Sequence, residues 1–277
     1  MRDEQWLLEE KYGGKKTAEF ETDRHRLARG EPVAYLIGWQ PFLGLKIFLD
    51  SRPLIPRPET EWWAEQLLSQ LAEYEHAGSA ISETLRRSTD RAGGDFSTEK
   101  YSVLRNRTSR ELKFLDLCAG SGAIGCAALA HLPTASISFG EIDRGHEKTI
   151  LKNIRENNLD ESRAIIGIGD LFEPFLNEQF DCIAANPPYI PSERILPASV
   201  TEYEPPQALY AEEDGLGIIR RIALELPTHL TPEGVAWIEC DSAHAAAACA
   251  LLSDQGMHVS LRTDQYDIPR ILVVSFS

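Results

Sequence analysis

From residue 112 onward, short apolar runs alternate with helix-like stretches. Leu112–Cys118, Ser136–Ile142, Ala164–Ile168, Phe180–Ala185 and Val235–Cys240 read as strands. Gly122–His131, Gly145–Asn158, Leu216–Leu230 and Ser242–Ser253 read as helices, with a turn at Thr231-Pro232-Glu233-Gly234 ending the third of them. This alternation predicts an α/β fold, doubly wound around a mainly parallel sheet. Met257–Leu261 and Ile271–Phe276 follow one another as strands and predict an antiparallel edge. No internal repeat is visible.

The preceding residues have a different pattern. Residues 1 to about 38 are helical and charged, with a small apolar patch at Trp6, Leu7 and Leu8 and a break at Gly13-Gly14. Two helices of this kind bury little, so residues 1–43 are expected to form a short helical docking unit. Residues 44–76 begin with a strand-like stretch through Leu45, Ile47 and Leu49 and end in a helix reaching about Tyr74. Between them lies Ile55-Pro56-Arg57-Pro58-Glu59-Thr60-Glu61, which the prolines hold extended. Arg57, Glu59 and Glu61 are expected on this stiff loop, with Thr60 placed to cap the helix. Locally, a linker with a capping box explains the segment. Residues 77–111 are rich in Gly, Ser, Thr and charge, and basic side chains outnumber acidic ones. They are expected to be a disordered insert, a partner-binding arm being the alternative. Residues 112–277 form the α/β domain.

Composition narrows the class. A chain of 277 residues can hold one large domain and a smaller one. A net charge of -15 argues against a broad electrostatic grip on nucleic acid. No apolar run approaches the roughly 18 residues of a membrane span. The five cysteines form no C-x-x-C pair and no metal spacing, as in an intracellular protein with reduced thiols. The acidic start lacks both the apolar core of a secretory signal and the Arg-rich character of a transit peptide.

Two stretches carry the chemistry. Asp116-Leu117-Cys118-Ala119-Gly120-Ser121-Gly122 runs from the first strand into a glycine-rich turn and a helix. Gly120 and Gly122 allow a sharp turn and a close backbone approach to a ligand, and G-x-G-x-x-G also fits a nicotinamide dinucleotide site. An acid at the end of the next strand is placed to accept from ribose hydroxyls. Asp143 is the first choice for this role and Glu141 the second. Asp170 and Leu171, after the third strand, would border a nucleoside base. After the fourth strand comes Asn186-Pro187-Pro188-Tyr189. It offers a carboxamide, rigidly held carbonyls and an aromatic face, which suit a planar amide or amine. From these four residues alone, a Pro-Pro turn is an equal reading. A nucleoside site beside an amide-binding turn points to group transfer onto nitrogen.

These residues resemble a known family. The Asp116–Gly122 stretch is similar to motif I of class I S-adenosylmethionine-dependent methyltransferases, whose Rossmann-like sheet has seven strands. Asn186–Tyr189 is similar to their amino-methylating motif. Together with Ile55–Glu61, Gly30-Glu31-Pro32-Val33-Ala34-Tyr35-Leu36-Ile37-Gly38 and Tyr203-Glu204-Pro205-Pro206-Gln207-Ala208-Leu209, the set resembles the HemK/PrmC family of protein-(glutamine-N5) methyltransferases. The resemblance implies S-adenosyl-L-methionine as cofactor and no metal. The implied substrate is the Gly-Gly-Gln loop of a peptide-chain release factor, and the implied state a monomer. It implies cofactor contacts from Asp116, Cys118, Ala119, Gly120, Ser121, Gly122, Asp143, Asp170, Leu171 and Asn186. Asn186, Pro187 and Tyr189 would be catalytic. Pro188, Arg57 and Glu59 would join them around the substrate.

Three departures stand out: Cys118 where the family has Gly, the short amino-terminal unit, and the insert. The last suggests a eukaryotic, fungal-type member, mitochondrial by resemblance with the cytoplasm as alternative. An amino-methyltransferase acting on adenine or cytosine of nucleic acid shares the Asn-Pro-Pro-Tyr motif and is the second reading. A non-catalytic cofactor-binding scaffold is the third. A nicotinamide dehydrogenase leaves Asn-Pro-Pro-Tyr unexplained.

Overall fold

A computed structural model describes residues 2–76, 111–212 and 214–276. The insert expected within residues 77–111 lies, apart from Glu111, outside them. Helices α1 (Arg2–Tyr12), α2 (Ala18–Ala28) and α3 (Val33–Ile37) come first, so the amino-terminal unit has three helices rather than two. Their core is small: Leu7, Leu8, Phe20 and Leu36. Beside it, buried Asp23 accepts hydrogen bonds from Lys11 (2.6 Å), Tyr12 (2.8 Å) and Arg26 (2.7 Å). A carboxylate in so little apolar cover needs partners of this kind.

Strands β1 (Trp39–Phe42) and β2 (Leu45–Phe48) form an antiparallel hairpin. Helix α4 (Pro58–His76) starts on a proline, whose fixed φ suits a first helical position. This corrects two expectations. Glu59 and Glu61 lie on the first turn of α4, not on the loop, and Thr60 is inside the helix rather than its cap.

The remaining chain alternates as the pattern predicts. β3 (Lys113–Leu117), α5 (Ala123–His131), β4 (Ser136–Glu141), α6 (Glu147–Glu156), β5 (Ala164–Ile168) and β6 (Phe180–Ala185) come first. After the short α7 (Ala198–Thr201) come α8 (Gly217–His229), β7 (Leu230–Glu239), α9 (Ala245–Ser253), β8 (His258–Thr263) and β9 (Pro269–Ser275). One boundary moves. The expected turn at 231–234 is instead the start of β7, where the register against β6 shifts between Phe180 and Cys182. That irregularity accommodates Pro232 in the strand.

The sheet has seven strands in the order β5-β4-β3-β6-β7-β9-β8. β5, β4, β3, β6 and β7 are parallel, and β9 pairs antiparallel with both β7 and β8. Successive side chains of β3 feed opposite faces: Phe114 packs among Ile124, Phe139, Ile150 and Trp63, and Leu115 among Phe175, Ile183 and Ile219. Each such buried side chain contributes roughly 1.5–3 kcal/mol. The chain winds from β3 outward to β5, then returns to β6 on the other side of β3. Such a reversal opens a crevice at the carboxyl ends of the two inner strands.

Candidate active site

Strand register brings the two chemical stretches together. Leu117 pairs with Ala185, so Cys118 and Asn186 leave the sheet side by side. Ala185 pairs with Ile238, so Asn186 also lies next to Glu239.

The glycine-rich turn after β3 is built from inside. Cys118, Gly120 and Gly122 all have positive φ, at 63°, 55° and 76°. Asp116 is buried beneath them and accepts from Gly125 N at 2.8 Å. Burial raises its pKa well above the usual carboxylate range, against that hydrogen bond, and nearby Glu141 adds to the rise. Buried Glu141 accepts from Gly120 N (2.7 Å) and Asp143 N (2.8 Å), so both of its oxygens serve the backbone. Asp143 is the freer acid. Its Oδ1 accepts from Gly145 N at 2.7 Å, and its Oδ2 from Gln207 Nε2 at 3.2 Å. The Cys118 thiol is pushed upward in pKa, first by burial and then by Glu141 and Asp116, so it stays protonated.

Asp170 pairs with Arg221 at 2.8 Å, and Leu171 follows in a left-handed conformation with φ 48°. Asn153, fully buried on α6, donates to Ser121 O at 2.8 Å and to Phe48 O at 3.1 Å. Its Oδ1 accepts from Phe48 N at 2.7 Å, so one carboxamide ties the glycine-rich turn to the hairpin.

The stretch after β6 meets α4. Asn186 Nδ2 donates to Thr60 Oγ1 at 3.0 Å, across 126 residues. Thr60 donates to Glu239 Oε2 at 2.7 Å, and Trp63 Nε1 donates to the same oxygen at 2.8 Å. Tyr189 donates its hydroxyl proton to Glu239 Oε1 at 2.9 Å. Burial first, then Glu239, raises the Tyr189 pKa well above its ordinary value, so its proton is held.

Two further sequence-selected residues, Arg57 and Glu59, flank this point on the proline-rich segment and the start of α4. Arg57 is engaged with buried Glu204 at 2.6 Å, and Glu204 also accepts from Ile55 N at 3.1 Å. This pair clamps the proline-rich loop to the 203–209 segment. Glu59 is half-buried on α4. Pattern reading missed Glu239, Asn153 and Gly215, and it named Glu204 in a matching segment without its partner Arg57. Only Glu239 carried a visible signal, an acid at the end of an apolar strand, which demands partners. At Gly215 (φ 72°) a Cβ would come within 2.5 Å of the Tyr189 carbonyl, so glycine lets that loop cross the site.

The parallel sheet with an antiparallel edge, and a ligand crevice at its reversal, define a class I methyltransferase fold. The family model of the methyltransferase small domain matches residues 98–201. The N-terminal domain of human METTL16 in complex with SAH superposes with a TM-score of 0.50 at 18% identity, covering 85% of this chain and 77% of that one. The release factor glutamine methyltransferase of Thermodesulfovibrio yellowstonii is 31% identical over 91% of this chain and 79% of its own length. That of Xylella fastidiosa is 31% identical over 87% and 74%. The ribosomal protein uL3 glutamine methyltransferase of Bradyrhizobium diazoefficiens is 33% identical over 76% of this chain, which spans 57% of that relative. The chain belongs to the release factor glutamine methyltransferase family. Among the described residues, no helix is long and apolar enough to cross a membrane.

Proposed function

We propose that this protein methylates a glutamine side-chain nitrogen in the Gly-Gly-Gln loop of a peptide-chain release factor, with S-adenosyl-L-methionine as donor. The observation carrying this reading is the Asn186–Thr60 bond, which joins the amide-binding turn to the proline-rich segment typical of the glutamine enzymes. The residues fit the cofactor. Three positive-φ positions bare the backbone of the turn, and a Cβ at Gly120 would meet nothing closer than Pro53 at 3.9 Å. The half-exposed Asp143 carboxylate suits ribose hydroxyls, and Leu171 suits a base. When bound, the cofactor supplies an electrophilic sulfonium methyl and a thioether leaving group.

The chain's own residues handle the acceptor. An amide nitrogen is a weak nucleophile because its lone pair is delocalised. Asn186 Oδ1 and the Pro187 carbonyl accept its two protons and fix its plane, and Tyr189 packs beside it. Orientation and preorganised dipoles are the help available to such a nucleophile. Once methylated, the amide nitrogen would shed one of the two protons held by Asn186 and Pro187 to solvent, which balances the charge lost by the sulfonium.

Labelled methyl transfer to a release factor, beside its Gly-Gly-Ala variant, protein uL3 and duplex DNA, tests the reading. Label on the Gly-Gly-Gln protein alone is the expected result. Label on uL3 would transfer the substrate to a ribosomal protein, as in the relative with that name. Label on DNA alone would refute glutamine methylation. Asn186→Ala is expected to abolish transfer with cofactor affinity nearly intact, and loss of cofactor binding in the folded variant would refute its assignment to the amide.

A further inference from the structure

We propose that Glu239 is a positioning residue of the methyl-acceptor site, setting the direction of every hydrogen bond that holds Asn186 and Tyr189. The inference rests on the function proposed above for its substrate, but its geometry does not depend on that substrate. Glu239 ends β7 and is 1% exposed. Three donors converge on it: Thr60 and Trp63 on Oε2, and Tyr189 on Oε1. The indole N–H can only donate, which fixes Oε2 as an acceptor.

The consequences run outward from that oxygen. Thr60 has one hydroxyl proton, and Glu239 takes it. The Thr60 oxygen is therefore left as an acceptor toward Asn186, 3.0 Å away. Only the Nδ2 end of the carboxamide can satisfy it. Asn186 Oδ1 must then point the other way, free to accept from an incoming amide N–H. Without this relay the carboxamide could rotate by half a turn and present N–H to N–H, which repels the acceptor. Tyr189 is settled by the same carboxylate. Its proton goes to Oε1, and its ring is held in one plane beside the acceptor.

Three variants separate the two branches. Thr60→Val keeps the shape of the side chain and removes the relay. It is expected to lower kcat about 100-fold, the scale of a misplaced reacting group, with KM and cofactor affinity within about twofold. Thr60→Ser restores the hydroxyl and is expected to keep kcat within about threefold of the parent. In Glu239→Gln, the carboxamide oxygen must stay with Trp63 and Thr60. Its nitrogen then faces Tyr189 and reverses that hydroxyl, and kcat is expected to fall about tenfold. Full activity in Thr60→Val, or equal loss in Thr60→Ser, overturns the relay. Full activity in Glu239→Gln overturns the Tyr189 branch.

Side-chain amide NMR of ¹⁵N-labelled protein reads Asn186 with no acceptor present. A slowly exchanging Asn186 Nδ2 proton that is lost in Thr60→Val, and kept in Thr60→Ser and Glu239→Gln, supports the proposal whatever the acceptor proves to be. An Asn186 amide signal unchanged in Thr60→Val overturns it even where release-factor methylation is confirmed.

Discussion

Cys118 occupies the left-handed backbone region, at φ 63°, in the glycine-rich turn. An L-residue there is strained by roughly 1–2 kcal/mol, because its Cβ crowds the following carbonyl. Replacement by glycine removes that strain but also deletes a thiol packed against the core on the β6 and α8 side of the sheet. Comparing Cys118→Gly with Cys118→Ala isolates the backbone, since neither variant carries sulfur. At a right-handed position alanine is the more stable of the two, by about 0.4–1 kcal/mol, because glycine loses more chain entropy on folding. Here strain outweighs that difference, and glycine is expected to win by roughly 0.5–1 kcal/mol. For a domain of this size that is a melting shift of about 2 °C. Urea melts with equal m-values measure the difference directly. An alanine variant as stable as the glycine variant would refute the strain argument.

Gly215→Ala places a Cβ 2.5 Å from the Tyr189 carbonyl at φ 72°; a loss of roughly 2 kcal/mol or more is expected, and kcat should suffer more than cofactor affinity in isothermal titration. Asp23 is held below its ordinary pKa, burial pushing it up but the bonds from Lys11, Tyr12 and Arg26 overcoming that. A depressed carboxylate adds stability above its unfolded pKa, about 3.9, and loses it as pH falls through the lower folded value. Asp23→Asn should therefore flatten the acid limb of the stability curve, and thermal melts from pH 6 to pH 2.5 that keep the parent's slope would contradict the assignment.

Much of the sheet was legible because each strand from β3 to β6 is a compact apolar run between polar breaks, and the glycine-rich turn announces itself. The site's support was not legible, for a physical reason. Asn186 meets Thr60 126 residues away, and the partly buried Arg57–Glu204 pair spans 147. Periodicity reports which face a residue takes, not which distant side chain it meets there. The same limit explains Asn153, whose carboxamide completes the edge of β2 across 105 residues. Arg57, which only the family resemblance made a substrate contact, is engaged with Glu204, a residue whose pairing no local pattern reveals.

The described residues that flank 77–110 are placed by the same geometry. α4 begins at the site, where Thr60 touches Asn186, and runs to His76. At 1.5 Å per residue its far end lies about 24 Å from Thr60. β3 is a parallel strand whose carboxyl end, Leu117, opens into the glycine-rich turn, so Lys113 starts at the opposite edge of the sheet. Of the two flanking ends, Lys113 thus lies on the edge away from the crevice, and His76 lies a full helix length from the site. Loop length enters stability only as the logarithm of residue number, about 0.6 kcal/mol for each doubling. Replacing residues 79–108 with a short Gly-Ser linker is therefore expected to leave kcat for methyl transfer within about threefold and stability within about 1 kcal/mol. A variant that melts normally, binds cofactor normally and has lost only its KM for the protein substrate would refute this, and would assign the segment to docking.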